Sequence, residues 1–409
     1  MRVCLVANRF YDDNAHMMQF ANALARRGDE VDVICVRRDG LESQAVLGGV
    51  NVYRIQRRIL NERGRWTYFW RLLSFLGHAA FVLTKHHLRR PYQIVHIQSI
   101  PDFLVFAALI PKLTGARVIL DLRDLVPELY ASKFRIRRDS TMFRALARME
   151  KLSAAFADHV ITANPLWHER IVRRSADASK CTMIWYYPDP AIFYPRPPRR
   201  ADGRFLIIYP GTLNWHQGID VAIRALPAIV RAAPETLFEI YGEGASKPDL
   251  LRMIRELELT GHVTVHDLLP VEQIAEVMAS ADIAVVPKRI SDGFGDEAAS
   301  TKIWEFMALG VPVVAARTRV EQCLLGDSLV YYFEPENEAE LAAAVVTLRN
   351  CPEKRRILAA NARAYIESGA WEATMATYLE VVDALANSPL GREAAPFVGE
   401  PVDKSSRGR

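Results

Sequence analysis

The chain has 409 residues, half of them hydrophobic, a net charge of +4 and five cysteines. That length exceeds one ordinary core and fits two domains of roughly 150–200 residues, with ample apolar content for both. Cys4, Cys35, Cys181, Cys323 and Cys351 are scattered, odd in number and without CxxC spacing, which argues against a disulfide framework or a zinc site and predicts a reducing, cytoplasmic setting.

Residues 3–7 read as a first strand rather than a signal peptide, because Asn8 and Arg9 cut the apolar run short. A polar loop over 8–14 leads into a helical pattern over 16–27, stopped by Gly28. Further strands are predicted at 31–36, 94–97 and 118–120. Between the second and third lies the aromatic segment 63–85, whose apolar run is interrupted by Arg71 and His78, making it a poor transmembrane span. Flanked by Arg57, Arg58, Arg63, Arg65, Lys85, Arg89 and Arg90, it suits an interfacial helix on anionic lipid. Leu72, Phe75, Ala79 and Val82 equally suit a helix buried on a sheet. The first reading predicts peripheral membrane contact through 57–90 at the inner face of the membrane.

Residues 1–200 hold 32 Lys/Arg against 18 Asp/Glu, a net of +14, and the remainder nets −10. Opposite signs suggest different partners for the two halves, although a simple drift in Arg usage fits as well. Tyr187-Pro188-Asp189-Pro190 and Pro195-Arg196-Pro197-Pro198 form a proline-rich linker between them.

The strand and helix pattern then restarts. A strand at 205–209, a loop at 211–218, a helix at 219–233 and a strand at 237–241 are followed by strands at 263–266, 283–286 and 311–315. Such alternation predicts an α/β fold of two doubly wound, Rossmann-like parallel-sheet domains facing across a cleft, with ligands at the carboxyl ends of strands. No G-x-G-x-x-G or Walker loop is present, and Gly242-Glu243-Gly244 reads as a tight turn after a strand. Residues 371–385 predict a last helix, and 388–409, rich in Pro, Gly, Ser and charge, a disordered tail.

The chemistry concentrates between Asp296 and Pro312. Ser300 and Thr301 read as a helix N-cap, Ile303, Trp304 and Met307 as the apolar face, and Gly310 as the stop. The free N–H groups and positive dipole end of such a helix suit a diphosphate. Glu305, a turn further in, can accept a ribose diol, and Glu297 in the preceding loop can reach a sugar. An ordinary capped amphipathic helix with surface acids fits the same spacing.

At these residues the chain resembles the family 4 (group 1) retaining glycosyltransferases of the two-domain GT-B type. The signature is two glutamates separated by seven residues and followed by Gly-x-Pro-Val, here Glu297, Glu305 and Gly310-Val311-Pro312-Val313. Segments 96–102, 120–128, 157–164, 210–218 and 281–287 resemble the family's other motifs in order and spacing. The resemblance implies an N-terminal acceptor domain over 1–195, completed by the returning helix 371–387, and a donor domain over 196–370. It also implies transfer of a hexose-type sugar from a nucleoside-diphosphate co-substrate to a glycan or lipid-linked acceptor in surface polysaccharide or glycoconjugate synthesis, with retained configuration. No metal and no other cofactor is implied, and no nucleic-acid module is present. Glu297 then lies beside the transferred sugar, Glu305 holds the ribose, and Ser300, Thr301 and Lys302 cradle the diphosphate.

The chain departs from the family pattern in three places. Gly293-Phe294-Gly295 precedes Glu297 instead of following it; the glutamate register is the one that also fits Gly310-Val311-Pro312. The loop Gly211-Thr212-Leu213 to Gln217-Gly218 lacks the usual Arg and Lys, leaving Lys302, with Lys288 and Arg289, as candidate phosphate cations. Arg123 stands where a histidine is common, and since arginine cannot act as a base, it is either a phosphate or sugar clamp or an ion-pair partner of Asp124 or Glu128. Acceptor contacts are expected at Asp13, Asn14 and Gln98. A sugar-nucleotide epimerase or hydrolase, or a non-catalytic nucleotide-sugar binder, remains the alternative.

Overall fold

The computed structural model describes residues 1–12, 14–57, 65–134, 136–196, 202–291 and 293–387. Asp13, Arg58, Arg63, Pro197, Pro198 and the tail 388–409 lie outside these residues. Two compact units result: Met1–Trp185 together with the chain from Ala373, and Tyr186–Glu372. The division falls ahead of the proline-rich segment and again inside the last helix.

In the first unit, β1 (Arg2–Phe10), α1 (Ala15–Arg26), β2 (Glu30–Arg37), β3 (Gln44–Leu47), β4 (Val50–Arg57), α2 (Arg65–Arg89) and β5 (Ile94–Gln98) are followed by α3 (Leu109–Leu113), β6 (Arg117–Leu122), α4 (Val126–Phe134), α5 (Thr141–Phe156), β7 (His159–Thr162), α6 (Pro165–Arg174) and β8 (Cys181–Met183). The strand order is β3-β4-β2-β1-β5-β6-β7-β8. β1, β2, β5 and β6 are apolar runs buried almost throughout, as expected for strands covered on both faces. β3 pairs antiparallel with β4, so this sheet is not wholly parallel as the alternation implied. The four-residue β3, too short and too exposed to show periodicity, closes the edge as a hairpin.

α2 divides the two readings of its segment between its faces. Leu72, Phe75, Ala79 and Leu83 are buried, whereas Trp70, Phe81 and Leu88 point outward. Among the described residues no helix is long and apolar enough to cross a membrane.

The second unit contains β9 (Phe205–Pro210), α7 (Ile219–Ala232), β10 (Thr236–Tyr241), α8 (Lys247–Glu256), β11 (Val263–His266), α9 (Val271–Met278), β12 (Ile283–Val286), α10 (Thr301–Leu309), β13 (Val313–Ala316), α11 (Arg319–Leu324), β14 (Tyr331–Phe333), α12 (Glu338–Asn350) and α13 (Pro352–Ile366); α14 (Ala370–Asn387) leads back into the first. Its six strands run β11-β10-β9-β12-β13-β14, all pairs parallel. The order reverses between β9 and β12, and a crevice at the carboxyl ends of those strands is where doubly wound folds bind ligands. One face of the sheet packs Ile207, Tyr209, Phe238, Ile240, Ile283 and Val285 against α7, α8 and α12.

Candidate functional site

In the second unit the candidate site assembles at that switch point, around the loop that follows β9. Gly211 N donates to Tyr241 O at 2.8 Å, Leu213 N to Glu243 O at 2.9 Å and Ser246 N to Leu213 O at 2.9 Å, tying the loop to the turn after β10. On its other side Arg289 N donates to His216 O at 3.0 Å, tying it to the chain after β12. Glycine makes these approaches fit. A methyl group on Gly218 (φ 68°) would overlap the Pro287 carbonyl, and one on Gly242 would overlap the Gly211 carbonyl. Gly244 likewise packs on the Leu213 backbone. Gly242-Glu243-Gly244 is therefore a backbone-on-backbone contact, and the turn lies just after it, at Ala245 and Ser246.

Lys302, in the first turn of α10, runs across the open face of Gly211. A methyl group there, at φ 130°, would overlap Lys302 Cε and lie 3.1 Å from Nζ. The Lys302 ammonium stands 3.4 Å from Gln217 Oε1 and 5.3 Å from the centre of the Tyr209 ring. Burial and the adjacent Lys288 charge push its pKa down, while Glu305 and Glu321 favour the charged form. Lys288 itself is buried just beyond β12. Arg289 is committed elsewhere: it pairs with Asp220 and with Glu336 Oε2 (2.9 Å) and lies over the Trp215 ring.

Ser300 is the N-cap of α10, and Gly310, at φ 73°, ends the helix. The cap differs from the expected one. Ser300 Oγ is buried and makes no capping bond, and Ser300 N instead donates to Glu321 Oε1 at 2.8 Å. Glu321 is a buried carboxylate on α11 that the sequence reading missed. Burial pushes its pKa up, and Lys288, the Ser300 N–H and Lys302 counter it. Thr318-Arg-Val-Glu321 carries a capping-box signature, and Thr318 Oγ1 does accept from Glu321 N at 3.3 Å. The Glu321 side chain, however, leaves its own helix to hold the start of α10. Thr301 and Thr212 have exposed side chains, and Tyr209 OH donates to Thr212 O at 3.1 Å.

Glu305 accepts from Tyr186 OH at 3.1 Å, and its pKa is pushed up by burial against the opposing influence of Lys302 and Tyr186. Tyr186 is the first residue of this unit and was also missed. Glu297 is buried in the loop before α10, with Arg319 Nη1 at 3.4 Å from its Oε1. Asp296 fixes that loop by accepting from Arg319 N at 2.8 Å.

In the first unit the switch point lies between β1 and β5. Asn14 caps α1 through Met17 N at 3.3 Å and donates from Nδ2 to Gln98 Oε1 at 2.5 Å. Beside them Asp121, buried at the end of β6, accepts from Arg123 Nε at 2.8 Å and faces His96 Nε2 at 3.5 Å and His16 Nε2 at 4.0 Å. Burial opposes the Asp121 charge, but Arg123 and the histidines hold the carboxyl below its usual range. Arg123 thus pairs with Asp121. Of the partners expected for it, Asp124 lies 3.7 Å from Arg9 and Glu128 takes Arg174 at 2.7 Å. Among the described residues no cluster of three or more His, Cys, Asp or Glu is arranged to hold a metal ion.

Residues 14–186 match the family described as Glycosyl transferase 4-like domain, and residues 192–365 match Glycosyl transferases group 1. A D-inositol 3-phosphate glycosyltransferase of Thermomonospora curvata is 31% identical over 191 residues, 43% of this chain and 42% of that protein. The chain spans less than half the length of the first curated relatives it matches, at 42%, 40% and 27%. Among solved structures, sucrose-phosphate synthase from Thermosynechococcus elongatus superposes with a TM-score of 0.77 at 18% identity, over 94% of this chain and 99% of that one. HepE of Anabaena in complex with UDP and glucose superposes with a TM-score of 0.71 at 17% identity, over 94% and 100%. Both share the GT-B fold of two parallel-sheet units.

Proposed function

We propose, for a chain that belongs to the group 1 glycosyl transferases, that it moves a hexose-type sugar from a nucleoside-diphosphate sugar to a hydroxyl of a glycan or lipid-linked acceptor, with retained configuration and no metal. The observation that carries this reading is the start of α10. Its open amides, Lys302 and buried Lys288 converge beside the glycine-lined loop after β9, and amides with cations are what a diphosphate requires.

As the bond from the anomeric carbon to the diphosphate breaks, negative charge grows on the departing oxygen and positive charge on the sugar ring. The two lysines and the α10 amides stabilise the first. Glu297, beside the sugar, stabilises the second. Glu305, held by Tyr186, accepts the ribose hydroxyls. In the first unit Asn14 and Gln98 orient the acceptor, and Arg123, fixed by Asp121, supplies a clamp that cannot itself remove a proton.

A nucleotide sugar at 100 times its Kd should stabilise the protein by about 2.7 kcal/mol, visible as a raised melting temperature with one of the UDP-, GDP- or dTDP-sugars. No shift with any of them sinks the donor site. Glu297→Gln should cut turnover by about 10²–10³ while keeping nucleotide binding. A pure binding protein would show no turnover to lose, and donor breakdown independent of acceptor would favour a hydrolase.

We also propose that the outer face of α2 lies on anionic lipid. Trp70, Phe81 and Leu88 recur at helical spacing along its exposed side, and Lys85, Arg89 and Arg90 are exposed at its end. Leu109, Ile110 and Leu113 of α3, which packs beside α2, add to the exposed apolar surface. Vesicles containing phosphatidylserine should retain the protein and release the Trp70→Ser/Phe81→Ser double variant. Equal retention of both would remove this contact from the reading.

A further inference from the structure

α14 brings Tyr378 to the middle of the first unit, where it is fully buried and stacked on Phe20 at 3.9 Å between ring centres. Its hydroxyl lies 2.9 Å from Nδ1 of His96, an imidazole with no exposure to solvent. The other ring nitrogen faces Asp121 Oδ2 at 3.5 Å, and Asp121 Oδ1 accepts from Arg123 Nε at 2.8 Å. A continuous polar chain therefore runs from the last helix to the guanidinium beside Asn14 and Gln98.

The direction of each proton follows from the carboxylate. Asp121 is paired with Arg123, so it is ionised and accepts only. In its neutral form the His96 imidazole has one N–H, and only Nε2–H can face that carboxylate without repulsion. Nδ1 is then bare and must accept, and among the described residues the Tyr378 hydroxyl is its hydrogen-bond partner and donates. With His96 in this tautomer its Nε2–H faces Asp121 Oδ2 across 3.5 Å, a charge–dipole contact and not a hydrogen bond, while Oδ1 holds Arg123. The guanidinium is gripped through Nε, leaving its outer nitrogens for a ligand or for His16, 3.4 Å from Nη1.

We propose that Tyr378 is a positioning residue for Arg123, acting through His96 and Asp121. The proposal rests on the reading that Arg123 clamps a substrate group during transfer. Tyr378 does not touch substrate. Its hydroxyl selects the His96 tautomer, and the tautomer selects the orientation of the clamp.

Two measurements test this. In the side-chain nitrogen NMR spectrum of histidine-labelled protein, His96 should show the Nε2–H form in the wild type and a mixture of tautomers in Tyr378→Phe; an Nδ1–H form in the wild type overturns the proposal. In kinetics, Tyr378→Phe should lower kcat about five- to tenfold with the donor KM within twofold. In an Arg123→Lys background the same substitution should cost no further kcat, because both changes break one chain. Losses that multiply, or a lower melting temperature with kcat unchanged, would leave Tyr378 as a packing residue. If the wild type turns over no donor at all, the transfer reading fails, while the NMR result still decides the chain from Tyr378 to Asp121.

Discussion

Lys302→Met is expected to lower kcat/KM for the nucleotide sugar by about 10²–10³, equivalent to ~3–4 kcal/mol of transition-state stabilisation. The family loop that ordinarily supplies two cations to the diphosphate has none here, and the Lys302 ammonium crosses Gly211 to the same loop. Methionine keeps the unbranched stem and fills similar volume, so the melting temperature should move by no more than a few degrees. A kcat/KM within threefold of wild type would show that another group meets the phosphates. The pH dependence gives a second reading of the same ammonium. Burial and Lys288 bring its pKa down to about 8. Its charge is present below that pH and lost above it. The donor kcat/KM, which reports free-enzyme groups, should therefore fall as pH rises through about 8, and Lys302→Met should flatten that limb.

Gly218→Ala should cost the second unit ~3 kcal/mol or more. Two separate penalties coincide. The backbone has φ 68°, which a side chain resists, and the new methyl would overlap the Pro287 carbonyl, a backbone atom with nowhere to swing. For a unit of this size that corresponds to a fall of roughly 6–12 °C in melting temperature. Because Pro287 leads directly into Lys288 and Arg289, nucleotide binding should weaken as well. Gly203→Ala is the comparison: it also has positive φ, 72°, but open space around it, so its cost should stay near that of the backbone conformation alone. Equal losses in the two variants would refute the steric argument.

The principal strands were legible because sheets covered on both faces require apolar runs. Residues 263–266 and 283–286 needed no adjustment, and β1, β2, β5, β6, β9 and β10 differ from the sequence reading only at their ends. β3, β8 and β14, of three or four residues, were not read, and the eight-residue β4 was overlooked although its burial alternates along the strand. Around the site, Gly310 announced the end of α10 because a left-handed stop has few occupants other than glycine. Glu321 was hidden because its chemistry depends on where its carboxylate goes: the capping-box spacing points to its own helix, and only tertiary packing sends it to Ser300. The approach of Lys302 to Gly211 was equally hidden, being a contact between the first turn of α10 and the loop after β9, far apart in the sequence. For Arg123 the sequence offered Asp124 and Glu128 as partners, yet its partner is Asp121, two residues before it and not one of the carboxylates that follow.

Tyr378, Val381, Val382 and Leu385, all buried on α14, fill the core of a unit whose other residues end at Trp185. During synthesis the first unit must wait for the whole of the second to leave the ribosome before that slot is filled. The second unit, drawn from one uninterrupted stretch, can close as soon as it emerges. The order of completion thus runs against the order of translation, and the emerging first half exposes apolar surface longer than its own length requires. A chain cut before Ala373 would keep a finished second unit and an unfinished first one, the half that a chaperone would have to guard.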